Sequence, residues 1–321
     1  MTFNYKRIAL LFILTLSVIL YTGCATDTSD SPKLKISTGI LPIKAFTAAI
    51  GGSYVEVEAL IPVGANPHNY QPSPSAMKFL SDAKLYIYVG VPTENENIMP
   101  KIKDFNTQIE VLNLQEALAE VHPFLTGEAH DHEAEDEAHV EDHPEMIEFE
   151  SQMLDPSSEI GAYADYDPHT WVSPKRAITM AGSIRDTLIQ MDPDHEADYQ
   201  ANADALIQKL SELDQTILDK VSTLDQKTYL IYHSSYNYFA FDYGLSFISI
   251  ENEGKSPTIQ DIQNAIDIAK ENRISTLFYQ NEFSVEQAKS ISEEIEGNAV
   301  PLEPLSEKYF DSMALLIEHL N

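Results

Sequence analysis

The stretch "DPDHEADYQANADALIQKLSELDQTILDKVSTL" (residues 192–224) carries apolar residues at helical spacing for about thirty positions. Asp192 suits an N-cap, and Pro193 suits the first helical position. The spacing predicts one helix over residues 193–222, about 45 Å long at 1.5 Å per residue. That exceeds what a crossover helix within one sheet needs, so the segment reads as a strut joining two bodies. The sequence on either side says what those bodies are.

Upstream, short β-branched runs alternate with helical ones. "LKIST", "YVEVEALIP", "KLYIYVG" and "QIEVLNL" read as strands, with helices in "PIKAFTAAIGG" and "SPSAMKFLSDA". Downstream the rhythm returns. "TYLIYH", "LSFISIE", "ISTLFYQ" and "AVPLEP" read as strands, and four helical runs lie between and after them. Alternation of this kind marks a parallel sheet. The expected class is therefore α/β: two lobes, each with a mostly parallel four-stranded sheet flanked by helices, joined by one long rigid helix. The expected boundaries are 34–192 for the first lobe, 193–222 for the linking helix and 223–321 for the second lobe.

The chain of 321 residues is long enough for two such lobes, and its 43% hydrophobic content excludes wholesale disorder. Lys6 and Arg7 precede an apolar run at residues 8–20, too short for a comfortable membrane span, which reads as an export signal ending at residue 23. Cys24 follows in "YTGC". As the single cysteine it forms no internal disulfide, and its place resembles a lipobox although Tyr21 is an unusual residue there. Lipidated Cys24 and a polar tether over 24–33 would hold the protein outside the cytoplasm, on the membrane. The formal charge is -31, and loss of Lys6 and Arg7 with the signal takes it to -33. Such a surface repels nucleic acid and attracts cations.

Residues 121–150 break the rhythm. They hold five of the ten histidines (His122, His130, His132, His139 and His143) among many carboxylates, without one lysine or arginine. Imidazoles and carboxylates together offer ligands to divalent metals, without fixed geometry. The segment is expected to act as an accessory metal-gathering loop of weak, variable affinity.

Of the other histidines, His195 and His319 sit among charges or by the C-terminus and are expected to face solvent. His68, in "VGANPHNYQPSPS", and His169, in "YDPHTWVSP", each follow a proline on a stiff loop. His233 ends a predicted strand in "LIYHSSYNYF". Ligands of open α/β sheets bind beyond the carboxyl ends of strands, so these three can converge in a cleft between lobes.

"GANPHNYQPSP", "DPHTWVSP" and "YHSSYNYFAFDYG" resemble the three histidine motifs of the zinc-binding ABC-transporter solute-binding lipoproteins, the ZnuA-like members of the cluster 9 family. The resemblance covers residues 34–321. It implies two α/β lobes bridged by one helix, a metal between them, and a membrane permease as partner of a monomeric receptor. It also implies a fourth ligand, which family members often draw from an aspartate on the final strand. Glu303 in "PLEPL" stands at the matching place, with water as the alternative. A glutamate that some members carry beside the first histidine is Pro67 here, and a further family glutamate corresponds to Gln280.

Three neutral imidazoles and one carboxylate suit Zn²⁺. Manganese-type relatives resemble this layout with a carboxylate where His233 stands, so His233 favours zinc as the transported ligand. The expected function is capture of Zn²⁺ and delivery to a permease, with affinity falling below about pH 6 as free imidazoles protonate. The rival readings are a manganese or iron receptor of the same family, a metal-binding adhesin, and a zinc hydrolase. No HExxH is present, and no enzyme activity is expected.

Overall fold

The computed structural model describes residues 32–126, 151–153, 166–251 and 256–321. The export signal, Cys24, and His130, His132, His139 and His143 lie outside the described residues. Two parallel sheets organise the rest. In the first, β1 (Leu34–Thr38), β2 (Val55–Ala59), β3 (Leu85–Tyr88) and β4 (Glu110–Asn113) run in the order β2-β1-β3-β4. In the second, β7 (Thr228–Ile231), β8 (Ser246–Ser249), β9 (Thr276–Gln280) and β10 (Asn298–Leu302) run in the order β10-β9-β7-β8. Both sheets share one topology: the second strand lies on one side of the first, the third and fourth on the other. A small antiparallel pair, β5 (Phe124–Leu125) and β6 (Ser151–Gln152), stands apart.

Helices α1 (Leu41–Gly51), α2 (Pro74–Asp82) and α3 (Leu114–Ala119) belong to the first lobe. Ser73 caps α2 by accepting the Ala76 amide. Next come α4 (Pro174–Met191) and the strut α5 (Glu196–Ser222). The second lobe holds α6 (Asn237–Tyr243), α7 (Ile259–Glu271), α8 (Val285–Glu294) and α9 (Tyr309–Glu318). A complete capping box between Thr258 and Asp261 starts α7.

The strut begins three residues later than the sequence suggests. Residues Pro193–His195 form a 3-10 turn. Asp192 does not cap backbone amides; its Oδ2 accepts His195 Nδ1–H and the Tyr199 hydroxyl, each at 2.7 Å. His195 is therefore half-buried, stacked on Tyr54 at 3.8 Å, rather than free in solvent. Along α5, Tyr199, Ala203, Leu206, Leu210, Ile217 and Val221 are buried as one helical stripe. That stripe packs on α1 and α4 at one end and on α6 and α9 at the other. The main core is accordingly continuous from Ile36 to Leu320, with satellite clusters in each lobe.

Helix α4 has no counterpart in the sequence reading. It packs along the strut and delivers Arg176, a fully buried guanidinium, to the lobe junction. Arg176 Nε donates to Asp242 Oδ2 at 2.9 Å and Nη1 to the Pro123 carbonyl, and the guanidinium lies 4.2 Å over the Tyr238 ring. Further bonds tie the lobes: Trp171 Nε1 donates to the Pro304 carbonyl at 2.8 Å, and Tyr309 Oη to the Trp171 carbonyl at 3.0 Å.

Candidate metal centre

Two histidines arrive by the same local device. Asn66-Pro67-His68 and Asp167-Pro168-His169 each set a short polar side chain two residues ahead of the histidine. Asn66 Oδ1 accepts the His68 amide, and Asp167 Oδ1 the His169 amide, both at 2.9 Å. That bond closes a tight turn around a proline whose φ is fixed, so each imidazole leaves a stiff loop at a set angle. His233 comes from the other sheet, two residues beyond β7.

The three imidazoles meet, with one donor atom from each lying within 4.8 Å of the others. His169 and His233 are buried and His68 half-buried. Two rings are oriented from behind. His169 Nδ1–H donates to Asp167 Oδ1 at 2.7 Å, and His233 Nδ1–H to Glu251 Oε2 at 2.6 Å. Fixing the proton on Nδ1 leaves the Nε2 lone pair for the cleft and makes the ring a better donor. Nε2 of His68 stands 3.3 Å from Nε2 of His233. Two nitrogens bound to one tetrahedral zinc at about 2.0–2.1 Å would lie about 3.3 Å apart. The spacing of this pair fits two ligands of one tetrahedral zinc ion, and without an ion it is also that of an N–H···N hydrogen bond.

Burial pushes His68 down to about 3, helped by the neighbouring imidazoles of His169 and His233. His233 is lowered too, chiefly by burial, against the pull of Glu251. The His68 ring stays neutral in mildly acid solution, and His233 resists protonation more than a free imidazole does. The proton competition expected near pH 6 from free histidine is therefore moved to lower pH for these two.

The His68 loop is held by a buried carboxylate in the first lobe. Glu94 Oε1 accepts the Tyr86 hydroxyl at 2.7 Å, and Oε2 accepts the amides of Val89, Gly90 and Val91 at 3.1, 2.8 and 3.1 Å. Gly90 has φ +94°, and a Cβ on Gly39 would meet Glu94 Oε1 at 2.1 Å, so both positions need glycine. Burial raises the Glu94 carboxyl to about 7 against these four donors. The loop so fixed presents Thr93, whose amide donates to the Pro67 carbonyl and whose hydroxyl donates to the Tyr70 carbonyl.

A cleft opens on the three histidines, walled by Trp171, Phe283, Pro304 and Leu305. Phe283 stacks on His233 at 4.7 Å. Glu303 does not line it. Its residue is exposed, its carbonyl accepts the Ser312 hydroxyl, and among the described residues no carboxylate joins the three-histidine group. Gln280 does line it, donating to the His233 carbonyl at 3.1 Å and the Ser235 hydroxyl at 2.7 Å. His122 lies apart, its Nε2 3.1 Å from Thr179 Oγ1, and His319 Nδ1–H donates to the Leu315 carbonyl. The aromatic run after His233 packs as expected, with Tyr236, Tyr238 and Phe239 fully buried. Tyr238 Oη donates to the Asp167 carbonyl, so the second lobe helps hold the His169 loop.

The sequence reading did not single out Asp167, Glu251, Glu94 or Glu282. Asp167 had a local signal in the repeated Asx-Pro-His tripeptide. Glu251 stands 18 residues from its histidine and had none.

A family model described as zinc-uptake complex component A, periplasmic, matches residues 36–321. The chain belongs to the ZnuA family. It is 30% identical over 305 residues to the zinc-binding lipoprotein AdcA of Streptococcus pneumoniae, covering 94% of this chain and 55% of that relative. It thus spans about half the length of the zinc-binding relatives it matches. The manganese-binding lipoprotein MntA of Halalkalibacterium halodurans is 27% identical over 325 residues, covering 96% of this chain and 95% of MntA. A crystal structure of ZnuA superposes with a TM-score of 0.74 at 28% identity, over 89% of this chain and 97% of that one. The two-sheet, long-helix architecture is that of the ZnuA family.

Proposed function

We propose that this protein captures Zn²⁺ between its lobes and delivers it to the permease of an ABC importer. The observation that carries the reading is the His68–His233 nitrogen spacing, in a trio whose buried rings are oriented by Asp167 and Glu251. His68, His169 and His233 are the ligands. A fourth position falls to water or to a carboxylate at the cleft mouth. Because the rings of His68 and His233 are held neutral, an arriving ion meets donors that need not first lose a proton.

Manganese is the second reading, favoured by the likeness to MntA. Three nitrogen donors support zinc over the harder Mn²⁺. An uptake role, rather than hydrolysis, accords with the description of the family. The location proposed is the outer face of the membrane, with Cys24 lipidated and the receptor monomeric; the names of relatives as lipoproteins support the anchor. No helix among the described residues is long and apolar enough to cross a membrane. The acidic histidine segment adds weaker sites.

Competitive zinc titration of the full chain in mild detergent tests the reading, beside His233→Ala and a deletion of residues 128–143. One tight site is expected, weakened at least a hundredfold in His233→Ala, with only weaker sites lost on deletion. Parental affinity in His233→Ala would transfer the main site to the segment and end the proposal.

A further inference from the structure

Tetrahedral zinc needs four donors, and the trio supplies three. The carboxylates nearest the rings are already engaged, since Asp167 and Glu251 each hold an Nδ1–H. Glu303, the carboxylate that the resemblance implies, is exposed and off the cleft wall. Strand alternation explains this. In β10 the side chains of Val300 and Leu302 are buried and that of Pro301 is exposed, so Glu303 continues the exposed row.

One acidic residue does line the cleft. Glu282 sits in the turn between β9 and α8, half-buried, next to Phe283, which stacks on His233. The Phe283 amide donates to the Gln280 carbonyl at 3.0 Å, which closes the turn and fixes its backbone beside the histidines. An independent observation on the same turn points to a polar ligand. Gln280 is 1% exposed and commits its amide nitrogen to His233 and Ser235, and its Oε1 has no partner among the described residues. A buried carbonyl oxygen without a donor is costly unless something in the cleft supplies a proton to it. Water carried by a cation does so.

We propose that Glu282, not Glu303, is the carboxylate that completes the cation's coordination, with Gln280 Oε1 accepting from a water on the ion. The inference rests on the zinc-capture reading and names the ligand missing from it. Glu282 is not within ligand distance of the trio as it stands, so the assignment requires its side chain to change rotamer while the turn stays in place.

The test compares the full-chain parent with Glu282→Gln, Glu303→Gln and His233→Ala. Zinc affinity is read by competition with a chromophoric chelator, and coordination by the visible absorption of the Co²⁺-loaded protein. Removing supporting groups around metal ligands commonly costs 10–100-fold, and a direct ligand should cost no less. Glu282→Gln is therefore expected to bind zinc at least about tenfold more weakly and to alter the Co²⁺ spectrum, with Glu282→Asp recovering part of both. Glu303→Gln should stay within about threefold of the parent. Parental affinity and an unchanged spectrum in Glu282→Gln, with the site lost in His233→Ala, would overturn the Glu282 assignment and leave zinc capture standing. Loss in Glu303→Gln alone would overturn it in favour of Glu303. A tight site surviving in His233→Ala would remove the reading beneath both.

Discussion

The residue that senses acid most directly is His68. Its unfolded pKa is that of a free imidazole, near 6.5, and its folded value is about 3. Between those values the unfolded chain binds a proton that the native chain does not. Stability of the metal-free protein therefore falls as the pH drops from 6.5 toward 3. His233 acts in the same direction, since its value is also lowered. Glu94 opposes them. Its folded carboxyl is raised to about 7, so between pH 4.5 and 7 the native state holds the extra proton, and stability falls as the pH rises through that window. Replacing His68 by Asn separates the contributions. Urea unfolding of metal-free protein at pH 7, 5 and 4 should show a shallower loss of stability with acid in His68→Asn than in the parent. Identical slopes would mean that His68 is not held neutral by its surroundings.

At the scale of elements, α5 contributes more to cohesion than a spacer would. Its buried stripe belongs to a core that runs through both lobes. Leu210 is fully buried near the middle of that stripe. Leu210→Ala should cost about 2–5 kcal/mol, the range for leucine truncation in a packed core. Because the core is shared, unfolding should remain a single transition. Trp171, fully buried at the lobe junction, reports one side by fluorescence, and far-UV circular dichroism reports the whole. Coincident curves are expected, and two separated transitions would contradict a continuous core. The strands were legible in the sequence because their short apolar, β-branched runs recur between helical ones, with β3 and β9 buried along their whole length, and the strut because its stripe is long. Helix α4 was not. Ala177 and Ala181, which let it pack closely, give a weak apolar signal, and buried Arg176 reads as surface. The start of α5 was misplaced because Asp192 bonds two side chains instead of helix amides.

For the whole molecule, the candidate site is legible where chemistry is local and obscure where it is assembled from afar. His68 and His169 sit on proline-bearing loops beyond sheet edges, and His233 ends a strand. Those features point to one cleft. Glu251, Glu94 and Glu282 reach the site through tertiary packing, and nothing in their neighbouring residues marks them. The lobes are bound to each other through Arg176 and Asp242, Trp171 and Pro304, and Tyr238 and Asp167. With the second lobe gripping the His169 loop, wide hinge opening would break many bonds at once. The most direct measurement is anomalous diffraction from crystals of the zinc-loaded protein, collected above and below the zinc edge. One strong peak is expected about 2.0–2.1 Å from Nε2 of His68, His169 and His233 together. A zinc peak elsewhere, with those three nitrogens unligated, would contradict it.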